Sequence, residues 1–340
     1  MRVAVDVMGG DHAPAEILKG CWQAIETLEG DDILLLVGDE AIIAEGLAAS
    51  GLTSEQKAHY RIVATTQVIG MEESPVDAIR SKPDSSISVM CKLVAKGEAD
   101  VVISAGNTGA CVAASQLRMR LLPGVSRPGI AVIVPTFHGP VVVCDVGANI
   151  TPKPKHLQQY AIMASAYSSA VCGVAKPRIG LLSIGEEDAK GTYMVKEARK
   201  LMRDEPQINF IGNIEGRDIF KGVADVVVCD GFVGNIVLKF TEGMAEGLFQ
   251  MIIAELQENA PEALAQFEPA MRKLLKRHDW QEYGGAPLLG VGGYSLICHG
   301  RSQAKAIKSA VRVGKQLMAS KVNDAIVERI AKSIPANDEE

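Results

Sequence analysis

The sequence predicts an α/β protein: a Rossmann-like, doubly wound, mostly parallel sheet sandwiched by helices. Three observations predict it. Short Val/Ile/Leu runs alternate with helical patterns along nearly all of the 340 residues, the mark of parallel strands joined by covering helices. Apolar residues make up 47% and aromatics only 4%, so the core is aliphatic, as strands buried on both faces require. Five glycine-bearing loops each close an apolar run: Val5–Pro14, Ser104–Gly109, Asp145–Asn149, Gly185–Gly191 and Asp230–Asn235.

The strand candidates follow from continuous or alternating apolar runs. In order they are Arg2–Val7, Ile33–Val37, Arg61–Thr65, Asp100–Ser104, Ile130–Val134, Val141–Asp145, Arg178–Ile184, Ile208–Ile211, Asp225–Cys229 and Tyr294–Cys298. Between them, helical spacing marks Pro14–Leu28, Ser85–Lys96, Thr108–Arg120, Pro154–Val171 and Tyr193–Arg203. Pro14, just after a Gly-Gly-Asp turn, suits a first helical turn. The pair Ile130–Val134 and Val141–Asp145, joined by Pro135 to Pro140, reads as an antiparallel hairpin. No repeat of fixed period and no low-complexity linker is evident, so residues 1–340 read as a single domain.

Residues 236–277 depart from this pattern and read as a helical hairpin inserted in that domain. Leu238, Thr241, Ala245, Leu248, Ile252 and Leu256 keep helical spacing, and Leu264, Phe267, Met271 and Leu274 form a second stripe beyond Asn259-Ala-Pro261. Such a stripe packs on the domain or on a second subunit. With Arg272, Lys273, Lys276 and Arg277 at its end, contact with a membrane surface is the alternative.

Bulk charge narrows the function. A net charge of -6 argues against a nucleic-acid binder, whose affinity comes from neutralising phosphates. Seven scattered cysteines without a C-x-x-C pair point to a reducing compartment and away from a zinc site. A strand at the N-terminus is expected to leave no room for a signal peptide, and no apolar stretch approaches the roughly 20 residues that span a bilayer. The expectation is a cytoplasmic protein that at most touches a membrane from outside, with no metal and no cofactor.

Loops after strand C-termini open onto one crevice in an open α/β sheet, so the five glycine loops are expected to form a single phosphate-handling surface. In Ser104-Ala-Gly-Asn-Thr-Gly109, the amides around Gly106, Asn107 and Gly109 and the hydroxyls of Ser104 and Thr108 can donate to an anion. An ordinary capped β–α turn is the alternative. Lys190 lies between two glycines, where it is either a fixed cation for phosphate or an oxyanion, or a solvated lysine. Asn235 can polarise a carbonyl or cap the helix after it. Asp6, Asp11 and His12 end the first strand and can position phosphate or move protons; His299 ends the last one. No G-x-S-x-G elbow occurs, and the first βα turn lacks G-x-G-x-x-G, which disfavours a serine hydrolase and a nicotinamide dehydrogenase. These residues alone give an α/β enzyme handling phosphate; they do not name the reaction.

In this order and at these separations, the loops resemble the bacterial phosphate acyltransferase family (PlsX). The resemblance runs from Val3 to about Ala310 and includes Glu73-Ser-Pro75, Arg127-Pro128, the Ile214–Asp225 run and Tyr283–Gly290. It implies transfer of a long acyl group from acyl carrier protein to inorganic phosphate, giving an acyl phosphate for phosphatidic acid and phospholipid synthesis. It also implies a homodimer, no metal or nucleotide cofactor, and peripheral association with the inner face of the membrane, beside a downstream glycerol-3-phosphate acyltransferase. A short-chain phosphate acetyltransferase acting on acyl-CoA is the alternative.

On that reading phosphate sits at Asp6, Ser104, Gly106, Asn107, Thr108 and Gly109, and the catalytic group is Lys190, Asn235, Asp230 and His12, with His299 behind them. The acidic carrier is expected to dock on Lys196, Arg199, Lys200 and Arg203, unless these form only a solvated helix face. The sequence departs from the family pattern at Ser183 and Gly292, where the family usually has asparagine.

Overall fold

Among the described residues, eleven strands lie side by side in one sheet. A computed structural model of the chain describes residues 1–278, 281 and 284–333. Its strands are β1 (Arg2–Asp6), β2 (Ile33–Gly38), β3 (Tyr60–Ala64), β4 (Val101–Ser104), β5 (Gly129–Thr136), β6 (Gly139–Cys144), β7 (Arg178–Leu182), β8 (Asn209–Ile214), β9 (Val226–Val228), β10 (Ala286–Leu289) and β11 (Tyr294–Ile297). The helices are α1 (Ala15–Gln23), α2 (Glu40–Ala49), α3 (Ser54–Lys57), α4 (Pro75–Ser81), α5 (Ser86–Ala95), α6 (Thr108–Ala114), α7 (Pro154–Val171), α8 (Tyr193–Arg203), α9 (Gly231–Asn259), α10 (Pro261–His278), α11 (Ala304–Ser320) and α12 (Val322–Lys332). The expected hairpin is β5–β6, paired from Ala131 with Cys144 to Thr136 with Gly139. The helical hairpin is α9–α10, with α9 already under way at Gly231.

Strand side chains alternate between two aliphatic layers. Val3, Val5, Leu34, Leu36, Val101 and Ile103 face α1, α7, α8, α11 and α12. Ala4, Leu35, Val37 and Val102 face the opposite layer with α4, α5, α6 and the first turns of α9.

The strand order is β3-β2-β1-β4-β11-β10-β5-β6-β9-β7-β8. The first five strands are parallel to one another, as are β6, β9, β7 and β8. Three antiparallel steps, β11–β10, β10–β5 and β5–β6, separate these two wings. Three is odd, so the wings run in opposite directions. The five glycine loops therefore form two clusters, one after β1 and β4 and another after β6, β7 and β9. This corrects the expectation of one shared surface, which holds only when all strands run the same way.

Apart from the edge strand β3, the order also reads the same from the centre outward: hairpin β10–β11 stands beside β4 as hairpin β5–β6 stands beside β9. A sequence repeat accompanies it, Ala99-Asp-Val-Val-Ile-Ser-Ala-Gly-Asn-Thr-Gly109 matching Ala224-Asp-Val-Val-Val-Cys-Asp-Gly-Phe-Val-Gly234. The aspartates are held alike. Asp100 accepts from the Arg2 backbone N–H at 2.8 Å and from its Nη2 at 2.6 Å, and Asp225 from the Arg178 N–H at 2.7 Å and its Nη2 at 2.8 Å. The two wings are thus two copies of one plan, a repeat without fixed period.

Candidate functional site

The first cluster is organised by Asp6, which is only 1% exposed. Ser104 Oγ donates to its Oδ2 at 2.7 Å, and the Met8 N–H donates to its Oδ1 at 3.1 Å. The same Ser104 hydroxyl accepts the Gly106 N–H at 3.0 Å. Burial pushes the Asp6 carboxyl up from its ordinary range, against the pull of hydrogen bonds from Ser86, Ser104, Met8 and Gly9. A Cβ on Gly9 would lie 2.2 Å from Asp6 Oδ2 and 2.9 Å from the Gly106 nitrogen, so only glycine lets the two loops close over the carboxylate.

Asn107 is equally committed. Its Oδ1 accepts the Ala110 N–H at 3.0 Å, capping α6, and its Nδ2 faces the carbonyls of Gly70, Met71 and Glu73 at 3.1 to 3.2 Å. Gly109 packs on Pro75, whose Cγ would be 2.5 Å from an added Cβ. Asp6, Ser104, Gly106 and the Asn107 side chain were expected to touch phosphate; they instead spend these groups on one another and on the 70–75 loop. They shape the site from beneath. Thr108 is exposed on the first turn of α6.

The rim of this cluster comes from three more segments. Gly10 meets Ala105 and Gly300, with a built Cβ 3.1 Å from Ala105 Cβ and 3.2 Å from the Gly300 carbonyl oxygen, and the Asp11 N–H donates to that oxygen at 2.8 Å. His12 is exposed beside Asp11. His299 Nδ1 accepts the Arg301 N–H at 3.1 Å. Partial burial, then the charges of Arg301 and Lys239, hold His299 below the ordinary histidine range, with Asp11 opposing. Lys239 belongs to α9, which begins at the other cluster. Asn235, Lys239 and Glu242 follow i, i+4, i+7 spacing and share a side of that helix. Asn235 thereby stands one turn from a lysine that senses the first cluster.

The second cluster is organised by Asp145, which has no exposed surface. Its Oδ1 accepts the N–H groups of Ile130, Gly147 and Ala148 at 2.9 to 3.1 Å, and its Oδ2 that of Asn149 at 2.7 Å. Asn149 Nδ2 donates to the Pro128 carbonyl and to the Tyr160 hydroxyl, each at 2.7 Å. Added Cβ atoms would lie 2.7 Å from the Asn149 carbonyl oxygen at Gly231 and 1.9 Å from that of Asp145 at Gly234. Asp230 was expected to act catalytically; its carboxylate instead caps α9, accepting from Phe232 and Val233 at 3.0 and 2.9 Å.

Lys190 is exposed on the loop after β7. β7 stands six places from β4 in the sheet, about 29 Å at the usual strand spacing of ~4.8 Å. Lys190 and Gly106–Gly109 therefore do not close on one small oxyanion. Asp188 of the same loop pairs with Arg199 and, at 2.8 Å, with Arg203, while Lys200 pairs with Glu197 at 2.7 Å. Three of the four cations expected to receive a carrier are thus held within the fold, two of them bracing the Lys190 loop. Lys196 is half-buried on α8.

Of the departures from the family pattern, Ser183 has a buried hydroxyl without a hydrogen-bond partner among the described residues. Gly292 fits where a Cβ would stand 2.7 Å from the Met119 carbonyl oxygen. Tyr283 lies outside the described residues, as do the side chains of Arg272, Lys276 and Arg277.

Residues 1–325 match the family model described as fatty acid synthesis protein. A phosphate acyltransferase of Heliobacterium modesticaldum is 49% identical over 97% of this chain and 98% of its own length. One from Desulfitobacterium hafniense is 46% identical over 98% of each. The chain belongs to the phosphate acyltransferase family. Solved structures of similar fold include a phosphotransacetylase from Streptococcus pyogenes, 17% identical with a TM-score of 0.61 over 96% of this chain and 94% of that one. The EutD phosphotransacetylase of Staphylococcus aureus gives 14% and 0.58 over the same shares. At such identities the likeness shows the fold alone.

For this acyltransferase, reading the sequence did not single out Lys239 or Arg301, nor Asp145 as the hub of its loop. Lys239 carried a usable signal, since it follows Asn235 by four residues in a helix. The Asp145 hub was marked by its match in position to Asp6, each an aspartate at the end of a buried strand before a glycine turn.

Proposed function

We propose that this enzyme transfers a long-chain fatty acyl group from acyl carrier protein to inorganic phosphate. The acyl phosphate product supplies phosphatidic acid and phospholipid synthesis. The observation that carries this reading is a glycine-built loop cluster at the N-terminus of α6, braced by the buried Asp6 carboxylate and neighboured by the loop that carries His299 and Arg301. Phosphate rests against Thr108 and the amides of Thr108 and Gly109, where unpaired N–H groups favour an anion.

Phosphate at neutral pH is already an oxygen nucleophile, so the protein's task is positioning and charge stabilisation. A phosphate oxygen attacks the thioester carbonyl, a tetrahedral oxyanion forms, and the carbon–sulfur bond breaks to release the carrier's thiol. Asn235, half-buried on the second turn of α9, orients the carbonyl. His12 or His299 takes the proton that the attacking hydrogen phosphate loses and passes it to the departing sulfur. Lys190 and Lys196, on the other wing, meet the acidic carrier rather than the reacting atoms.

The exposed stripe Phe232, Ile236, Phe240, Met244 and Leu248 on α9 supports a homodimer and peripheral membrane contact; a downstream glycerol-3-phosphate acyltransferase acts on the product there. Among the described residues no helix is long and apolar enough to cross a membrane. The test is thiol release from acyl carrier protein with and without phosphate. Release independent of phosphate, or confined to short acyl-CoA, would overturn the proposal.

A further inference from the structure

We infer that Met71 is the side chain that receives the donor's acyl chain where it leaves the reaction centre, and that it helps decide which acyl donors are accepted. The inference rests on the function proposed above and adds to it the residue that meets the acyl group. Met71 belongs to the segment between β3 and α4, and its methyl group reaches the loop after β11. A Cβ built on Gly300 would stand 3.2 Å from Met71 Cε and 3.4 Å from Asp11 Oδ1. Met71, Asp11 and Gly300 therefore converge on one spot. His299 precedes Gly300 in the chain, and Gly10, which meets the Gly300 carbonyl, also meets Ala105 of the loop after β4.

The backbone around Met71 is fixed by two side chains from outside the segment. Asn107 Nδ2 faces the carbonyls of Gly70, Met71 and Glu73 at 3.1 to 3.2 Å. Glu73 Oε1 accepts the Gly70 N–H and the Lys82 ammonium, each at 2.6 Å, and Lys82 Nζ also donates to the Val68 carbonyl at 2.8 Å. Ile69 anchors the segment in the core at 4% exposed, whereas Met71 on this fixed frame stays 47% exposed. A lone exposed apolar side chain is ordinary. One held in place by its neighbours' hydrogen bonds, beside the groups assigned to the reaction, has the preorganisation that a binding contact needs. An unbranched thioether also adapts its shape to a flexible hydrocarbon. Of the two side chains meeting at Gly300, the Asp11 carboxylate repels an alkyl chain, so the chain departs along Met71.

Because Met71 stands beside the reacting groups, it meets only the methylenes nearest the thioester, and its effect should saturate with chain length. Met71→Gln should raise KM for octanoyl and palmitoyl carrier protein about fivefold each, and KM for an acetyl donor less than about twofold, at unchanged melting temperature. Met71→Leu should restore the wild-type preference. An equal rise for all three donors, or no rise, would overturn the inference. Oxidation of the wild-type enzyme by hydrogen peroxide, read at the Met71 peptide by mass spectrometry, gives a second readout that needs no turnover. A carrier protein bearing a hexadecyl thioether, which cannot transfer its chain, should slow Met71 sulfoxide formation about fivefold or more, and unmodified carrier should not. Equal protection by unmodified carrier would assign Met71 to the carrier's surface, and protection that follows enzyme concentration alone would assign it to a second copy of the chain; either overturns the inference. Thiol release without phosphate dependence would overturn the reaction assignment instead, and the oxidation arm would still decide the role of Met71.

Discussion

Replacing Asn107 with alanine removes the element that joins the phosphate loop to the 70–75 loop. Its acceptor contact to the Ala110 N–H at 3.0 Å is a helix cap, worth about 1 kcal/mol. Its Nδ2 faces three carbonyls at 3.1 to 3.2 Å, but the amide has two hydrogens, so about two net bonds of ~1 kcal/mol each are lost. The total is about 3 kcal/mol. For a chain of 340 residues, an unfolding entropy of ~2.1 cal/mol/K per residue gives about 0.7 kcal/mol/K, so the melting temperature should fall by about 4 °C. Asn107→Ser retains a capping oxygen and loses the clamp, so it should melt about 1 to 2 °C above Asn107→Ala. Differential scanning calorimetry reads both, and a phosphate titration should show KM rising in both because the 70–75 loop is released in each. If Asn107→Ala melts within 1 °C of wild type, the bonds assigned to this side chain do not hold the loop, and the account of how the site is shaped fails.

Other perturbations separate the remaining parts. Gly9→Ala puts a methyl 2.2 Å from Asp6 Oδ2, and it should reduce kcat/KM by about a hundredfold or more with little change in far-ultraviolet circular dichroism; near-normal activity would show that the two loops need not close. Lys190→Ala should weaken kcat/KM for the carrier-bound substrate several-fold and spare a soluble acyl thioester; equal loss on both would return Lys190 to the chemistry. Burial, with the nearby cations Arg127, Lys155 and Lys153, pushes His156 down to about 4. A histidine held neutral by folding stabilises fully above its unfolded value of about 6.5, and that contribution is lost as pH falls from there toward the folded value. Its loss amounts to at most about 3 kcal/mol. His156→Gln, which keeps an acceptor for the Lys153 N–H, should flatten the stability profile between pH 6.5 and 4, and an unchanged profile would assign that pH dependence elsewhere.

Long helices and buried strands were legible because their patterns are local: α7 and α8 run from Pro154 to Val171 and from Tyr193 to Arg203, as their spacing predicts. β10 was not read as a strand because it is four residues long and contains Pro287, and it pairs in a way no local pattern announces. No helix was anticipated after Cys298, where α11 and α12 stand. The direction of the second wing escaped sequence reasoning for a different reason. Glycine loops mark strand ends but not strand polarity, and polarity was decided by two hairpins in the middle of the sheet. The same limit governed the site. Residue types suited to phosphate were found correctly as loops, yet Asp6, Ser104 and Asn107 carry hydrogen-bond capacity that the fold consumes, and only three-dimensional partners reveal that. Conversely, Lys239 sits in the middle of a helix whose apolar stripe drew attention away from its polar side.

The central claim is that inorganic phosphate, held at the α6 N-terminus, attacks a carrier-bound acyl thioester. Incubating the enzyme with long-chain acyl carrier protein and radiolabelled phosphate, then extracting the lipid phase, tests it most directly. The account predicts label in an acyl phosphate formed in equal amount to the thiol released. Free thiol without labelled acyl phosphate would contradict it.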